Sequence, residues 1–187
     1  MAGKQATRRQ ARAAAASEDR AVARAQMPTP IGVLTIVASD QGLRSVDFPR
    51  ASGPSVAKNA SANAQARGVL EQAIRELEEF FAGERREFSV PLELGGTEFQ
   101  MAVWRELARI PFGETRTYGE VARAIGRPGA SRAVGGAAHN NPIAIIIPCH
   151  RMVGANGSLV GFGGGLDLKQ KLLDWEAGRL TLGCKEH

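Results

Sequence analysis

Few residues in this 187-residue chain suit cross-linking or metal binding: it has two cysteines (Cys149 and Cys184), three histidines and a single tyrosine, Tyr118. Two cysteines at this spacing exclude a disulfide framework and a cysteine-rich zinc module. They point to a reducing, intracellular compartment, the cytoplasm of a bacterium or the nucleus of a eukaryote. No apolar run approaches the roughly 18 residues a membrane span needs. The N-terminus lacks the apolar stretch of a secretory signal, so neither a membrane partner nor secretion is expected. Acids are also scarce: 19 against 24 Lys and Arg, for a net charge of +5. The excess is uneven, net +4 over residues 1–27, −2 over 28–96 and +3 over 97–187. A basic second half suits a polyanion such as nucleic acid, although ordinary solvated charge reads the same way.

Composition divides the chain further. Residues 1–27 are rich in Ala and Arg and nearly free of large apolar side chains, so they read as a disordered basic tail. An organelle-targeting peptide and a nonspecific DNA-binding arm both fit that composition. Residues 28–95 read as an N-terminal α/β domain. A hairpin is predicted over residues 32–48, turning at Asp40-Gln41-Gly42. After an Ala/Ser/Asn-rich loop, Leu70, Ala73, Ile74, Leu77, Phe80 and Phe81 recur at helical spacing, and Gly83 closes that helix. Residues 88–94 look like another strand.

Residues 96–180 form a second domain, followed by a short tail over 181–187. Thr97 with Gln100, and Thr117 with Glu120, are capping-box pairs that open two helices. Gly126 and Pro128 end the second. A small-residue helix then runs from Ser131 to His139 and stops at Asn141-Pro142. Two short helices joined by a tight Gly/Pro turn read as a helix-turn-helix. Residues 143–147 (Ile-Ala-Ile-Ile-Ile) are too short for an ordinary helix and read as a buried strand or extended segment. A glycine-rich loop, Gly161-Phe162-Gly163-Gly164-Gly165, precedes a last helix with Leu168, Leu172 and Trp175 as its expected buried positions.

The chemistry concentrates in Pro148-Cys149-His150-Arg151. A lone cysteine is more often an inert core residue than a nucleophile. Here proline fixes the backbone before it, a histidine follows, and Arg151 adds positive charge expected to favour thiolate. In extended backbone, neighbouring side chains point to opposite faces. His150 would then reach the sulfur through a water and need a third group to orient it, for which Glu176 is a candidate.

Ile147-Pro148-Cys149-His150-Arg151 resembles the active-site signature of the methylated-DNA–protein-cysteine methyltransferases, the O6-alkylguanine-DNA alkyltransferases. Tyr118, Ser131-Arg132-Ala133-Val134-Gly135-Gly136, Asn141-Pro142, the glycine-rich loop and Leu172-Leu173-x-x-Glu176 follow in that family's order. Thr29-Pro30-Ile31-Gly32 through Phe48 resembles its opening hairpin. The resemblance spans about residues 29–178. It implies an α+β fold: a mixed α/β, ribonuclease H-like domain, then a mainly helical domain with a winged helix-turn-helix-like motif. It implies repair of alkylated double-stranded DNA by a monomer, without cofactor or metal. Some members bind zinc near the N-terminus through Cys and His, and residues 1–96 contain neither.

By the same resemblance Cys149 is the nucleophile, His150 its base, Glu176 the orienting acid and Asn141 a brace. Tyr118 helps flip the nucleotide and assists the departing base, and Arg132 fills the vacated stack. Ser131, Ala133 and Gly135 lie on a recognition helix suited to the minor groove. Met152 and Cys149 read the guanine through backbone groups. Phe162, Gly163 and Gly164 wall the base pocket, and the two bare glycines are expected to leave room for a bulky adduct. On residues alone Arg132 is a surface charge and Glu176 a solvated acid.

Three competing readings fit less well. A damage-marking, binding-only relative would lack the nucleophile. A methyl-responsive regulator would need a further DNA-binding module. A Cys-His hydrolase would need direct contact between thiol and base.

Overall fold

The computed structural model describes residues 22–48 and 62–182. The expectations for residues 1–21, 51–61 and 183–187, Cys184 among them, lie outside the described residues.

Three antiparallel strands in sequence order open the fold: β1 (Val22–Thr29), β2 (Gly32–Ser39) and β3 (Leu43–Asp47). β2 and β3 are the expected hairpin. β1 corrects the tail reading, because residues 22–27 pair with β2 from Val22↔Ser39 to Met27↔Leu34. The cause is alternation among small side chains. Ala23 and Met27 are buried and Ala25 is half-buried on the same face, a period of two that an Ala/Arg composition conceals.

Helix α1 (Ala64–Phe81) lies on this sheet. Asn63 caps it by accepting from the Ala66 N–H at 2.8 Å. Val69, Leu70, Ala73, Leu77, Phe80 and Phe81 form its buried stripe. Glu76 is also buried, and it explains why residues 88–94 are not a strand. Its carboxylate accepts from the N–H groups of Ser89 and Val90 at 2.8 and 3.2 Å. Pro91 has no N–H to give. Only an isolated bridge between Leu43 and Leu92 remains.

The second domain follows the caps. Both capping boxes form, at the starts of α2 (Glu98–Leu107) and α3 (Tyr118–Ala124). Gly126 and Gly129, both at positive φ, turn the chain into α4 (Ser131–His139). The Trp104 indole N–H donates to the Ala137 carbonyl at 2.8 Å and locks α2 to α4. A two-stranded parallel ladder, β4 (Arg116–Thr117) with β5 (Met152–Val153), ties the start of α3 to the segment after Cys149.

Residues 143–147 do not form a strand. They make a tight turn in which the Ile147 N–H reaches the Ile143 carbonyl at 3.0 Å and buried Ile145 sits at φ +73°. A β-branched residue there is strained, so its surroundings must hold it. β3 supplies part of that hold. The Val46 N–H donates to the Pro142 carbonyl at 2.9 Å, and the Ala144 N–H to the Val46 carbonyl at 3.1 Å. The last helix, α5 (Leu166–Glu176), packs Trp175 against Phe80 and Phe112, with ring centroids at 4.6 and 5.4 Å.

Deleting residues 1–27 removes an edge strand with two buried side chains, whereas deleting residues 1–20 keeps it. We expect thermal melting of the first truncation to fall well below that of the second. Equal melting temperatures would contradict the placement of β1.

Candidate active site

Cys149, His150 and Arg151 form a single 3-10 turn after Pro148. The turn replaces the extended backbone expected here, and it sends both His150 and Arg151 into the interior. Glu176 at the end of α5 receives them. His150 Nε2 lies 2.8 Å from Glu176 Oε1. Arg151 donates through Nε to Oε2 at 2.8 Å and through Nη2 to Oε1 at 2.9 Å. The Gly113 N–H adds a fourth donor at 3.1 Å. Burial alone would raise this carboxyl, but the bonds from His150 and Arg151 outweigh it and hold Glu176 at about 2.

An ionised carboxylate only accepts hydrogen bonds, so His150 carries its proton on Nε2. Burial also depresses the imidazole pKa, more than Glu176 raises it, so the ring is neutral. Its Nδ1 keeps a lone pair, is buried, and meets no protein partner among the described residues. A neutral, oriented imidazole with one unengaged nitrogen is the form a general base needs.

The Cys149 sulfur accepts from Asn141 Nδ2 at 3.3 Å. The same amide donates to the Ile147 carbonyl at 2.8 Å, and Asn141 Oδ1 accepts the Ile143 N–H at 3.0 Å. Asn141 thus braces the strained turn and touches the thiol. Burial raises the Cys149 pKa; Asn141, Lys169 and nearby backbone N–H groups only partly offset this. The resting thiol therefore keeps its proton at neutral pH and needs a base to become nucleophilic.

Two expectations change here. Arg151 does not supply the charge beside the thiol: its guanidinium is committed to Glu176 and, through Nη1, to the Ile110 carbonyl at 2.6 Å. Lys169 supplies that charge, and sequence reasoning missed it. It is fully buried, donates to the Val160 carbonyl at 2.8 Å, and places Nζ 5.9 Å from the centre of the Tyr118 ring. The available signal was spacing: Lys169, Leu172 and Glu176 share the inward face of α5, where Leu168 and Trp175 were expected.

Tyr118 covers the site from α3. Its hydroxyl donates to the Val160 carbonyl at 2.9 Å and lies 3.4 Å from that of Gly161. Beyond it opens a cleft of about 820 Å³, lined by Tyr118, Arg123, Ser131, Arg132, Gly135 and His139 among others. Arg132 is exposed at this cleft, and Ala133 is exposed on the same helix. Gly135 faces the Tyr118 ring, where an added Cβ would make an ordinary van der Waals contact at 3.6 Å. Met152 is buried, and its N–H bonds the Cys149 carbonyl, so that donor is not free for a base.

Phe162 is half-buried, 6.5 Å from the His150 ring. Gly163 faces open space, as expected. Gly164 does not: a Cβ there would strike Leu168 at 2.7 Å, Phe162 at 3.0 Å and Phe48 at 3.1 Å. The room expected at Gly164 is therefore already filled. Among the described residues no cluster of three metal-ligating side chains occurs, and no helix is long and apolar enough to cross a membrane.

Fold and site together define a two-domain protein that holds a half-buried thiol, followed directly by a buried histidine, beneath a helix-turn-helix. Family models agree on both halves. The ribonuclease-like domain of 6-O-methylguanine DNA methyltransferase matches residues 22–94, and its DNA binding domain matches residues 98–178. The methylated-DNA–protein-cysteine methyltransferase of Methanosarcina acetivorans is 48% identical over 79% of this chain and 94% of its own length. That of Mycolicibacterium paratuberculosis is 49% identical, over 79% and 88%. The crystal structure of Mycobacterium tuberculosis OGT in complex with DNA superposes with a TM-score of 0.72 at 44% identity, covering 82% of this chain and 92% of that one. The chain belongs to the 6-O-methylguanine DNA methyltransferase family.

Two measurements test this geometry. Asn141→Ala leaves the Ile143 N–H without its partner and removes one of two donors from the Ile147 carbonyl, which keeps the Cys149 N–H at 2.8 Å, so it should cost about 1–3 kcal/mol in urea unfolding and slow iodoacetamide capture of Cys149. Unchanged stability and capture would contradict the bracing role. Acid should also destabilise the fold in two stages. The depressed His150 makes stability fall as pH drops below 6.5. Glu176 contributes stability above 4.5 that is lost as pH falls towards about 2. Glu176→Gln should flatten the second stage; a profile identical to wild type would show that Glu176 is not the acid-sensitive group.

Proposed function

We propose that this protein repairs alkylated DNA by taking the alkyl group from O6 of guanine onto Cys149, once per molecule. The observation that carries the proposal is His150, held by Glu176 at 2.8 Å with Nδ1 unengaged among the described residues, directly after the Cys149 that Asn141 touches at 3.3 Å. A guanine adduct lies inside the base stack, so it must be extruded before the sulfur can reach it. In this reading α4 enters the minor groove, Arg132 takes the place of the extruded base, and Ser131, Ala133 and Gly135 allow close approach to the backbone.

The chemistry is one displacement. His150 Nδ1, through a water, takes the Cys149 proton. Asn141 and Lys169 stabilise the thiolate as it forms. The sulfur attacks the alkyl carbon, the S–C bond forms as the C–O bond breaks, and the electron pair leaves with O6 into the guanine ring. The Tyr118 hydroxyl exchanges the Val160 carbonyl for the base and donates a hydrogen bond to the leaving group, while the proton taken from Cys149 passes from His150 through the water to the guanine anion. A thioether remains, and water does not cleave its S–C bond because an alkyl thiolate is a poor leaving group.

Incubation with duplex DNA carrying methylated guanine should add one methyl mass to the Cys149 peptide and stop at one equivalent. Turnover with excess DNA would refute the proposal. Arg132→Ala should slow transfer from duplex far more than from a free alkylated base, because only the duplex requires extrusion. Equal slowing on both would remove Arg132 from that role.

A further inference from the structure

The wall of the site is not built by the second domain alone. Phe48, one residue past the end of β3, meets Phe162 edge-on, with ring centroids 5.3 Å apart and planes at 62°. The same Phe162 ring lies 6.5 Å from His150 at 74°. Behind it the chain has almost no side chains of its own, since Gly163, Gly164 and Gly165 follow directly. Leu168, Phe162 and Phe48 converge where a Cβ on Gly164 would project, so the space beside that glycine is filled from both domains. Two residues before Phe48, Val46 exchanges backbone hydrogen bonds with Pro142 and Ala144, on the turn that carries the chain to Cys149. One strand end therefore touches both the support of the nucleophile and the loop that faces it.

Resting on the reading that Cys149 accepts the alkyl group, we propose that Phe48 is a positioning residue for the transfer, holding Phe162 and the glycine-rich loop against His150. A loop this rich in glycine has many accessible conformations, and ordering it opposes reaction unless something fixes it beforehand. An edge-to-face aromatic contact is directional enough to fix one. Phe48 does not line the cleft where DNA is proposed to bind, so its effect falls on the chemical step and not on affinity.

The test is a double-mutant cycle on the full chain. It reads single-turnover transfer from methylated duplex at saturating DNA, with duplex affinity measured separately. Phe48→Ala should slow transfer roughly fivefold to tenfold with affinity within about twofold of wild type. Phe48→Tyr, which keeps the ring, should retain most of the rate. Adding Phe48→Ala to Phe162→Ala should slow it little further, because both changes remove the same contact. If Phe48→Ala does not fold, Phe48→Leu keeps the apolar volume without the ring and should show the same slowing. The proposal is overturned if the folded variant transfers within about twofold of wild type, or if the two slowings multiply. Failure of the wild-type protein to be alkylated at Cys149 would instead overturn the function proposed above.

Discussion

The buried carboxylate of Glu176 is the constraint on which the site depends. It sits at the end of α5 and accepts hydrogen bonds from two other segments: the 3-10 turn through His150 and Arg151, and the loop before β4 through Gly113. Breaking such a buried ionic group by removing one partner is expensive, because the remaining charges stay buried and unpaired. The same carboxylate decides the chemistry. By staying ionised it fixes the proton of His150 on Nε2 and leaves Nδ1 as the basic nitrogen. Arg151 belongs to this structural task; in the proposed mechanism thiol activation falls to His150, Asn141 and Lys169.

The site also joins the two domains. β3 reaches the turn at residues 142–144 by backbone hydrogen bonds, and Trp175, one residue before Glu176, packs on Phe80 of α1. Positions in the N-terminal domain thus bear on the placement of groups in the second one, although that domain contributes no group to the chemistry itself. The strained Ile145 is consistent with this: left-handed backbone at a buried β-branched residue persists only when its surroundings over-determine it.

Much of this was legible in the sequence. Both capping boxes, the α1 stripe and the helix from Ser131 to His139 have local signals, and each forms where those signals placed it. Cys149, His150, Asn141 and Glu176 do converge. What escaped was decided by tertiary partners. Residues 88–94 lost their ladder to a glutamate 13 residues earlier in the chain. β1 was hidden because its buried face is built from alanine and methionine. Residues 143–147 turn because Asn141 and Val46 satisfy their backbone, and composition carries no trace of that. Lys169 was missed because lysine is read as solvent-facing, and only the packing of α5 puts it in the interior.

The central claim is that His150 is neutral and holds its proton on Nε2, with Nδ1 free to act on Cys149. Long-range proton–nitrogen correlation spectra of the imidazole report that tautomer directly. At neutral pH the account predicts one protonated nitrogen, Nε2, and an unprotonated Nδ1, with the pattern lost in Glu176→Gln. A proton on Nδ1, or a doubly protonated ring at neutral pH, would contradict it.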